Sequence, residues 1–208
     1  MERRHKDMLD ESQIPLDPRS DLRVLVTSVG APNFKGAWQS LKRNGERYLT
    51  LIGIDQNPDA WGKSFCDHFA VAPAGDDPVY LPWIYEFVKQ QKIDVVLPLS
   101  TMENLALSRF IRTAIFPCKV IVSDWPYPRR ASNKLRFYET CKNIGFDMGI
   151  SVPEMIMCDP PMVVSACTKL GYPEKKLCVK PICGEGSRGF RILDCDADVF
   201  FNILRQKK

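Results

Sequence analysis

Apolar and polar positions follow two regimes along the chain. In the first, short continuous apolar runs are separated by longer stretches of mixed polarity. Residues 22–29 form a valine-rich run bounded by Gly30, the pattern of a parallel strand buried on both faces. Residues 36–44, closed by Gly45, predict a helix with a glycine stop, and residues 48–54 predict a second buried strand with Asp55-Gln56-Asn57-Pro58 as its exit turn. Strand, helix and strand in this order make a βαβ unit. The pattern then repeats: residues 81–91 as a helix, 93–99 as a strand, Ser100-Thr101-Met102-Glu103 opening another helix, and 119–122 as a fourth short strand. This alternation predicts an α/β fold, an open parallel sheet whose ligand crevice lies outside the carboxyl ends of its strands. Gly30, Asp55 and Glu103 fall on that edge and are candidates for substrate contact. Ser100 and Glu103 also have capping-box spacing, which offers Glu103 a purely structural role.

The second regime begins after Asp124-Trp125-Pro126-Tyr127-Pro128, where two prolines in a short aromatic stretch read as a linker. Ser132 is placed to cap a helix running to a stop at Gly145; residues 152–157 read as extended, and 162–170 as a further helix closed by Gly171. An alternating run then ends at Lys180, glycine occupies positions 184, 186 and 189, and residues 190–193 form a second short run. That is a strand, a flap and a returning strand. Residues 194–196 read as a turn and 197–206 as the start of a helix.

The flap carries the chemistry. Glycines let backbone N–H groups approach a bulky anion closely, and Lys180, Arg188 and Arg191 surround the same place with cations, so phosphate is the expected guest. Gly184-x-Gly186-x-x-Gly189 has dinucleotide-fingerprint spacing, but that fingerprint needs a helix directly after the glycines, where this chain has a strand. A glycine flap between two strands instead suits a lid over a nucleoside triphosphate. A lysine between Val179 and Pro181 is expected to point inward and to need an anionic partner.

Composition narrows the class. At 208 residues, 45% hydrophobic and 26% charged, the chain suits one large core or two small ones. Its formal charge of +4 is mild and its basic residues are not interleaved with aromatics, which argues against a nucleic-acid surface. No apolar run reaches the roughly 18 residues of a membrane span, and the charged first residues hold no apolar signal core. Residues 1–20 read as a flexible leader. The eight cysteines contain no C-x-x-C pair, and the two histidines lie far apart in sequence, so no zinc spacing appears. A reducing, cytoplasmic setting is the expectation.

The order Ser132-Asn133-Lys134, helix, Val152-Pro153, helix, Leu170-Gly171-Tyr172-Pro173 and Val179-Lys180-Pro181 with its glycine flap resembles the first lobe of an ATP-grasp domain. The preceding segment, with Ile54-Asp55-Gln56-Asn57-Pro58 and Leu97-Pro98-Leu99 leading to Glu103, resembles the domain before it in carbamoyl-phosphate synthase large-subunit-like proteins. The resemblance implies a leader over 1–20, a Rossmann-like pre-ATP-grasp domain over 21–126, and a small α+β first ATP-grasp lobe over 127–208. It implies that Lys134 and Lys180 bind ATP, with Gly184, Glu185, Gly186, Ser187, Arg188 and Gly189 as the loop over the triphosphate. Magnesium is implied as well, with its ligands in a second lobe. The chain then reads as a fragment or one half of a split protein, inactive by itself and binding ATP weakly or not at all on its own, with a second copy or a second-lobe chain as partner. The activity implied is a carbon–nitrogen ligase that phosphorylates a small carboxylate and passes it to an amine. A non-catalytic nucleotide-binding or regulatory module is the alternative, and an NAD-linked oxidoreductase the third reading, weakened by the single Gly30 where three glycines belong.

Overall fold

The computed structural model describes residues 22–45, 47–184, 186 and 188–193. The expected leader, the turn at 194–196 and the helix at 197–206 lie outside the described residues. The chain divides into two compact units, Met1–Ser123 and Asp124–Lys208.

The first unit runs β1 (Leu22–Val26), α1 (Phe34–Lys42), β2 (Leu49–Asp55), β3 (His68–Val71), α2 (Tyr80–Gln90), β4 (Val95–Leu97), α3 (Thr101–Phe110) and β5 (Lys119–Val120). Its five strands lie in the order β3-β2-β1-β4-β5, and every neighbouring pair is parallel. Alternate residues of a strand point to opposite faces, so a strand covered on both sides must be apolar throughout. β1 shows this directly. Leu25 packs with Ile52, Ile54, Tyr80, Ile84 and Leu107 on one face, while Val24 and Val26 pack with Val29, Phe34 and Leu51 on the other. Tyr80, Ile84 and Val88 are the buried residues of α2, at the i, i+4, i+8 spacing of one helical face.

Several boundaries differ from expectation. α1 starts and ends two residues before the predicted span, and β4 has three residues where seven were expected. β3 was missed. Its four residues are exposed or half-buried at the sheet edge, so His68 and the residues after it lack the continuous apolar signal of a central strand. Between β2 and β3 the chain makes a 3₁₀ turn at Trp61–Phe65. There Gly62 sits where a Cβ would lie 2.1 Å from the Val29 carbonyl oxygen and 2.6 Å from the Phe34 ring, so only glycine fits.

In the second unit the proline stretch is not only a linker, for it contains α4 (Tyr127–Ala131). α5 (Lys134–Met148) is capped by Asn133, whose Oδ1 accepts from the Arg136 amide at 3.0 Å, while the Ser132 hydroxyl donates to the Arg129 carbonyl instead. The helix passes through Gly145 and stops before Gly149, whose φ is +67°. Gly145 is required for another reason: a Cβ there would lie 2.7 Å from the Ile150 carbonyl of the returning chain. Residues 152–157 form no strand. α6 (Val163–Lys169) packs on the antiparallel hairpin of β6 (Leu177–Val179) and β7 (Arg191–Leu193), around Val163, Cys167 and Leu193.

Two outcomes test this account. Gly62→Ala should cost about 1–3 kcal/mol in urea unfolding through overpacking, with no change in the slope of the transition. Asp67 Oδ2 accepts from Lys42 Nζ at 2.5 Å and from the Leu51 amide at 2.7 Å. Burial pushes its pKa upward, but the Lys42 hydrogen bond, the Leu51 amide and the cationic charge together outweigh that, and the net direction is down. A carboxyl lowered on folding stabilises the protein above its unfolded pKa of about 3.9, and this contribution disappears as pH falls through the folded value. Thermal unfolding below about pH 4 should therefore fall more steeply for the parent chain than for Asp67→Asn.

Candidate functional site

Strand order in the first unit places β1 between β2, which follows it, and β4, which comes after the crossover, so the crevice of an open sheet lies beyond the ends of β1 and β4. The predicted edge residues gather there. Glu103, only 5% exposed, accepts hydrogen bonds from the Thr27 hydroxyl, from the Ser28 hydroxyl at 2.9 Å and from the Ser100 amide at 3.3 Å. The Ser100 hydroxyl accepts from the Glu103 amide at 3.2 Å, which completes the capping box of α3. Thr27 Oγ1 also accepts from the Leu99 amide, and the Thr27 amide donates to the Leu97 carbonyl. One carboxylate thus joins the exits of β1 and β4 to the start of α3. It also holds Ser28 in a left-handed conformation at φ +50°.

Asp55 has a similar task. Its Oδ2 accepts from the Gly30 amide at 2.7 Å and its Oδ1 from the Asn57 amide at 2.9 Å. The two acidic candidates are therefore already engaged with protein donors, and their visible role is to shape the loops of the crevice. Tyr80 is buried nearby in the core, and its hydroxyl has no partner among the described residues. Burial first, and the charge of Glu103 second, push that hydroxyl far above its ordinary pKa.

The second unit contains a cavity of about 450 Å³, whose lining includes Lys134, Met155, Cys167, Cys178, Lys180 and Ile182. Lys134 reaches it from the first turn of α5, where its amide donates to the Ile182 carbonyl at 2.9 Å and its Nζ to the Gly184 carbonyl at 3.1 Å. Lys180 reaches it from the end of β6. Contrary to the inward lysine expected from its neighbours, Lys180 is exposed. Leu177 and Val179 are the half-buried members of this alternation and turn to the α6 core, so Lys180 falls on the outer face and needs no buried counter-charge.

Gly184, Gly186 and Gly189 have φ of +127°, +62° and +76°, conformations that favour glycine. A Cβ at Gly189 would also lie 2.8 Å from the Pro181 ring. Arg188 and Arg191 are exposed beside them. Glu185 and Ser187 lie outside the described residues. Asn133 went unnoticed as a site residue, although its position before Lys134 was the available signal; its Nδ2 is 3.8 Å from Cys183 Sγ. Residues 155–159 were also missed, since an irregular segment has no periodicity to read. Among the described residues, no group of three or more His, Cys, Asp or Glu side chains is placed to hold a metal.

Residues 24–114 match the family described as PylC-like, N-terminal domain. Solved structures extend the likeness across both units. N5-carboxyaminoimidazole synthetase from Staphylococcus aureus, complexed with ADP, aligns with a TM-score of 0.56 at 17% identity over 90% of this chain and 45% of that one. At this identity the likeness shows a shared fold, the α/β parallel sheet followed by a small antiparallel unit. The biotin carboxylase domain of Hydrogenobacter thermophilus 2-oxoglutarate carboxylase, in complex with MgADP, ADP and bicarbonate, aligns at 0.55 with 16% identity over 86% and 39% of the two chains. Campylobacter jejuni biotin carboxylase in its β,γ-ATP complex aligns at 0.54 with 14% identity over 88% and 40%. The chain spans less than half the length of these structures. No curated protein matches it by sequence.

The Glu103 network makes a stability prediction. Glu103→Ala leaves two hydroxyls and the Ser100 amide without their acceptor and removes half of the capping box, so denaturant unfolding should show a loss of about 2 kcal/mol or more.

Proposed function

We propose that this chain is the ATP-binding portion of an ATP-grasp carboxylate–amine ligase, one that activates a small carboxylate as an acyl phosphate for attack by an amine. The observation that carries this reading is the meeting of Lys134 and Lys180 at one cavity, with Lys134 also bonded to Gly184 at the start of the glycine-rich turn. The cavity volume falls within the roughly 300–1,000 Å³ of small-molecule sites. Its lining includes the apolar Met155, Val163 and Leu170, which suit a base, and the two lysines, which suit phosphates. Two of the similar structures are nucleotide complexes by description, with ADP in one and MgADP in another, and this supports the same ligand here.

In phosphoryl transfer the protein contributes chiefly positioning and charge neutralisation. Lys180 supplies a compact cation on a long stem, able to follow a phosphate oxygen that shifts during transfer. Lys134 has a second role. By holding the Gly184 carbonyl it fixes the start of the glycine-rich stretch, where the amides of Gly184, Gly186 and Gly189 are the proposed donors to the phosphates. Glu185, Ser187 and Arg188 belong to the same proposed loop. Magnesium would supply further neutralisation of phosphate charge in such a ligase, with its ligands proposed to lie in the second lobe, since the described residues offer no group of three His, Cys, Asp or Glu side chains to hold it.

The crevice of the first unit, with Gly30, Asp55 and Glu103 holding its loops, is the proposed place for the carboxylate or amine. A second copy or a second-lobe chain is the proposed protein partner and the cytoplasm the proposed compartment. Among the described residues no helix is long and apolar enough to cross a membrane.

Lys180 should matter more than Lys134 for affinity, because no other described residue bonds to its ammonium group, whereas that of Lys134 is engaged with Gly184. A charge-assisted contact is worth roughly 1.5–3 kcal/mol, so in a protein that includes the second lobe Lys180→Ala should weaken binding of a non-hydrolysable ATP analogue about tenfold or more by calorimetry, and Lys134→Ala by less. Unchanged binding to Lys180→Ala would place the phosphates elsewhere.

A further inference from the structure

The nucleotide site is bordered by thiols that the ligase chemistry does not use. Burial along β6 alternates: Leu177 and Val179 are half-buried against the core, whereas Cys178 and Lys180 are exposed. Cys178 and Lys180 therefore share the outer face of the strand, about 7 Å apart by strand geometry, and both line the cavity. Cys183 lies on the other side of Lys180, exposed at the start of the glycine turn. Its sulfur is 3.8 Å from Asn133 Nδ2, and the next residue, Gly184, is the one held by Lys134. Lys134, Lys180 and Arg191 make the surroundings electropositive, and exposed electropositive positions are where thiols react.

We propose that Cys178 and Cys183 form a thiol gate on the nucleotide site, accepting a mixed disulfide from an anionic low-molecular-weight disulfide and so closing the site to phosphates. This rests on the nucleotide reading above. In the reaction a cysteine thiol gives up its proton, the thiolate attacks one sulfur of the small disulfide, a protein–small-molecule S–S bond forms as the original S–S bond breaks, and the departing thiolate takes up a proton. A thiol reductant reverses it by the same exchange. The attached group brings negative charge and bulk to the lysines that would otherwise meet the triphosphate.

Cys66 and Cys118 give internal controls. Burial, then the neighbouring Asp67 against a smaller opposing effect of Lys42, pushes the Cys66 thiol up to about 11, and burial with Asp94 pushes Cys118 up to about 11. Burial also raises Cys158 and Cys167.

The experiment uses the full 208-residue chain. It is exposed to oxidised glutathione, which is anionic, or to cystamine, which is cationic, and the modified residues are mapped by mass spectrometry. Binding of a non-hydrolysable ATP analogue is followed by NMR titration to millimolar concentration before and after treatment. The gate predicts that Cys183 and Cys178 are modified before Cys66 and Cys118, several-fold faster by oxidised glutathione than by cystamine. It also predicts that modification weakens analogue binding at least tenfold, that dithiothreitol restores it, and that in C178S/C183S the ratio of affinities before and after treatment returns to about one. Binding that persists unchanged after both thiols are modified overturns the gate and leaves the nucleotide reading standing. Modification directed to Cys66 or Cys118, or equal rates with the two disulfides, also overturns it. A chain that does not bind the analogue before treatment overturns the nucleotide reading and the gate together.

Discussion

The Glu103 carboxylate is the constraint on which the ordered edge of the first unit depends. It is buried, and it serves donors on β1's exit, on β4's exit and at the first turn of α3. A buried carboxylate is costly unless its oxygens are occupied, so this placement is stable only if all three elements stay in register. The sheet order supplies that register, because β1 pairs directly with β4. Gly75 lies against the stem and backbone of the same residue: a Cβ there would be 2.7 Å from Glu103 Cγ and 2.8 Å from its backbone nitrogen, so the loop before α2 packs closely on Glu103. The crevice is thus formed by loops whose geometry is fixed from beneath, which suits a binding surface better than a catalytic acid.

The second unit solves a different problem. Its core is small, built from α6 and a two-stranded hairpin, and its functional groups lie on the outer side of that hairpin and at the start of α5. Two lysines from separate elements reach one cavity, and the start of α5 is tied to the stretch after Lys180 by the Lys134 amide on the Ile182 carbonyl and the Lys134 ammonium on the Gly184 carbonyl. Left-handed glycines leave the turn's conformation dependent on such contacts, because they impose little preference of their own. Charge on Lys134 is therefore a structural element of the turn, besides the phosphate contact proposed for it.

Much of this was readable from residue order, and the exceptions have physical reasons. Continuous apolar runs located β1 and β2 because strands buried on both faces must be apolar throughout, and Ser100 with Glu103 announced the cap of α3 because that spacing satisfies two amides at once. β3 was illegible because an edge strand is wetted and needs no such run. Gly145 was misread as a helix stop, since a glycine kept for close approach by Ile150 looks the same in sequence as one kept for a left-handed turn. The hairpin was visible in its alternation, but the outward direction of Lys180 was not, because alternation gives two faces without saying which is the core. That Glu103 also binds Thr27 and Ser28 could not be read at all, since it joins residues about 75 positions apart.

The central claim is that nucleotide phosphates meet the second unit at Lys134, Lys180 and the glycine turn, and do not occupy the parallel-sheet crevice. Amide chemical-shift mapping of the chain during titration with an ATP analogue tests this most directly. The account predicts that the largest changes fall on residues 134–135, 155–159 and 178–186. Shifts concentrated instead at Ser28, Val29, Gly30 and Asn57, with residues 178–186 unmoved, would contradict it.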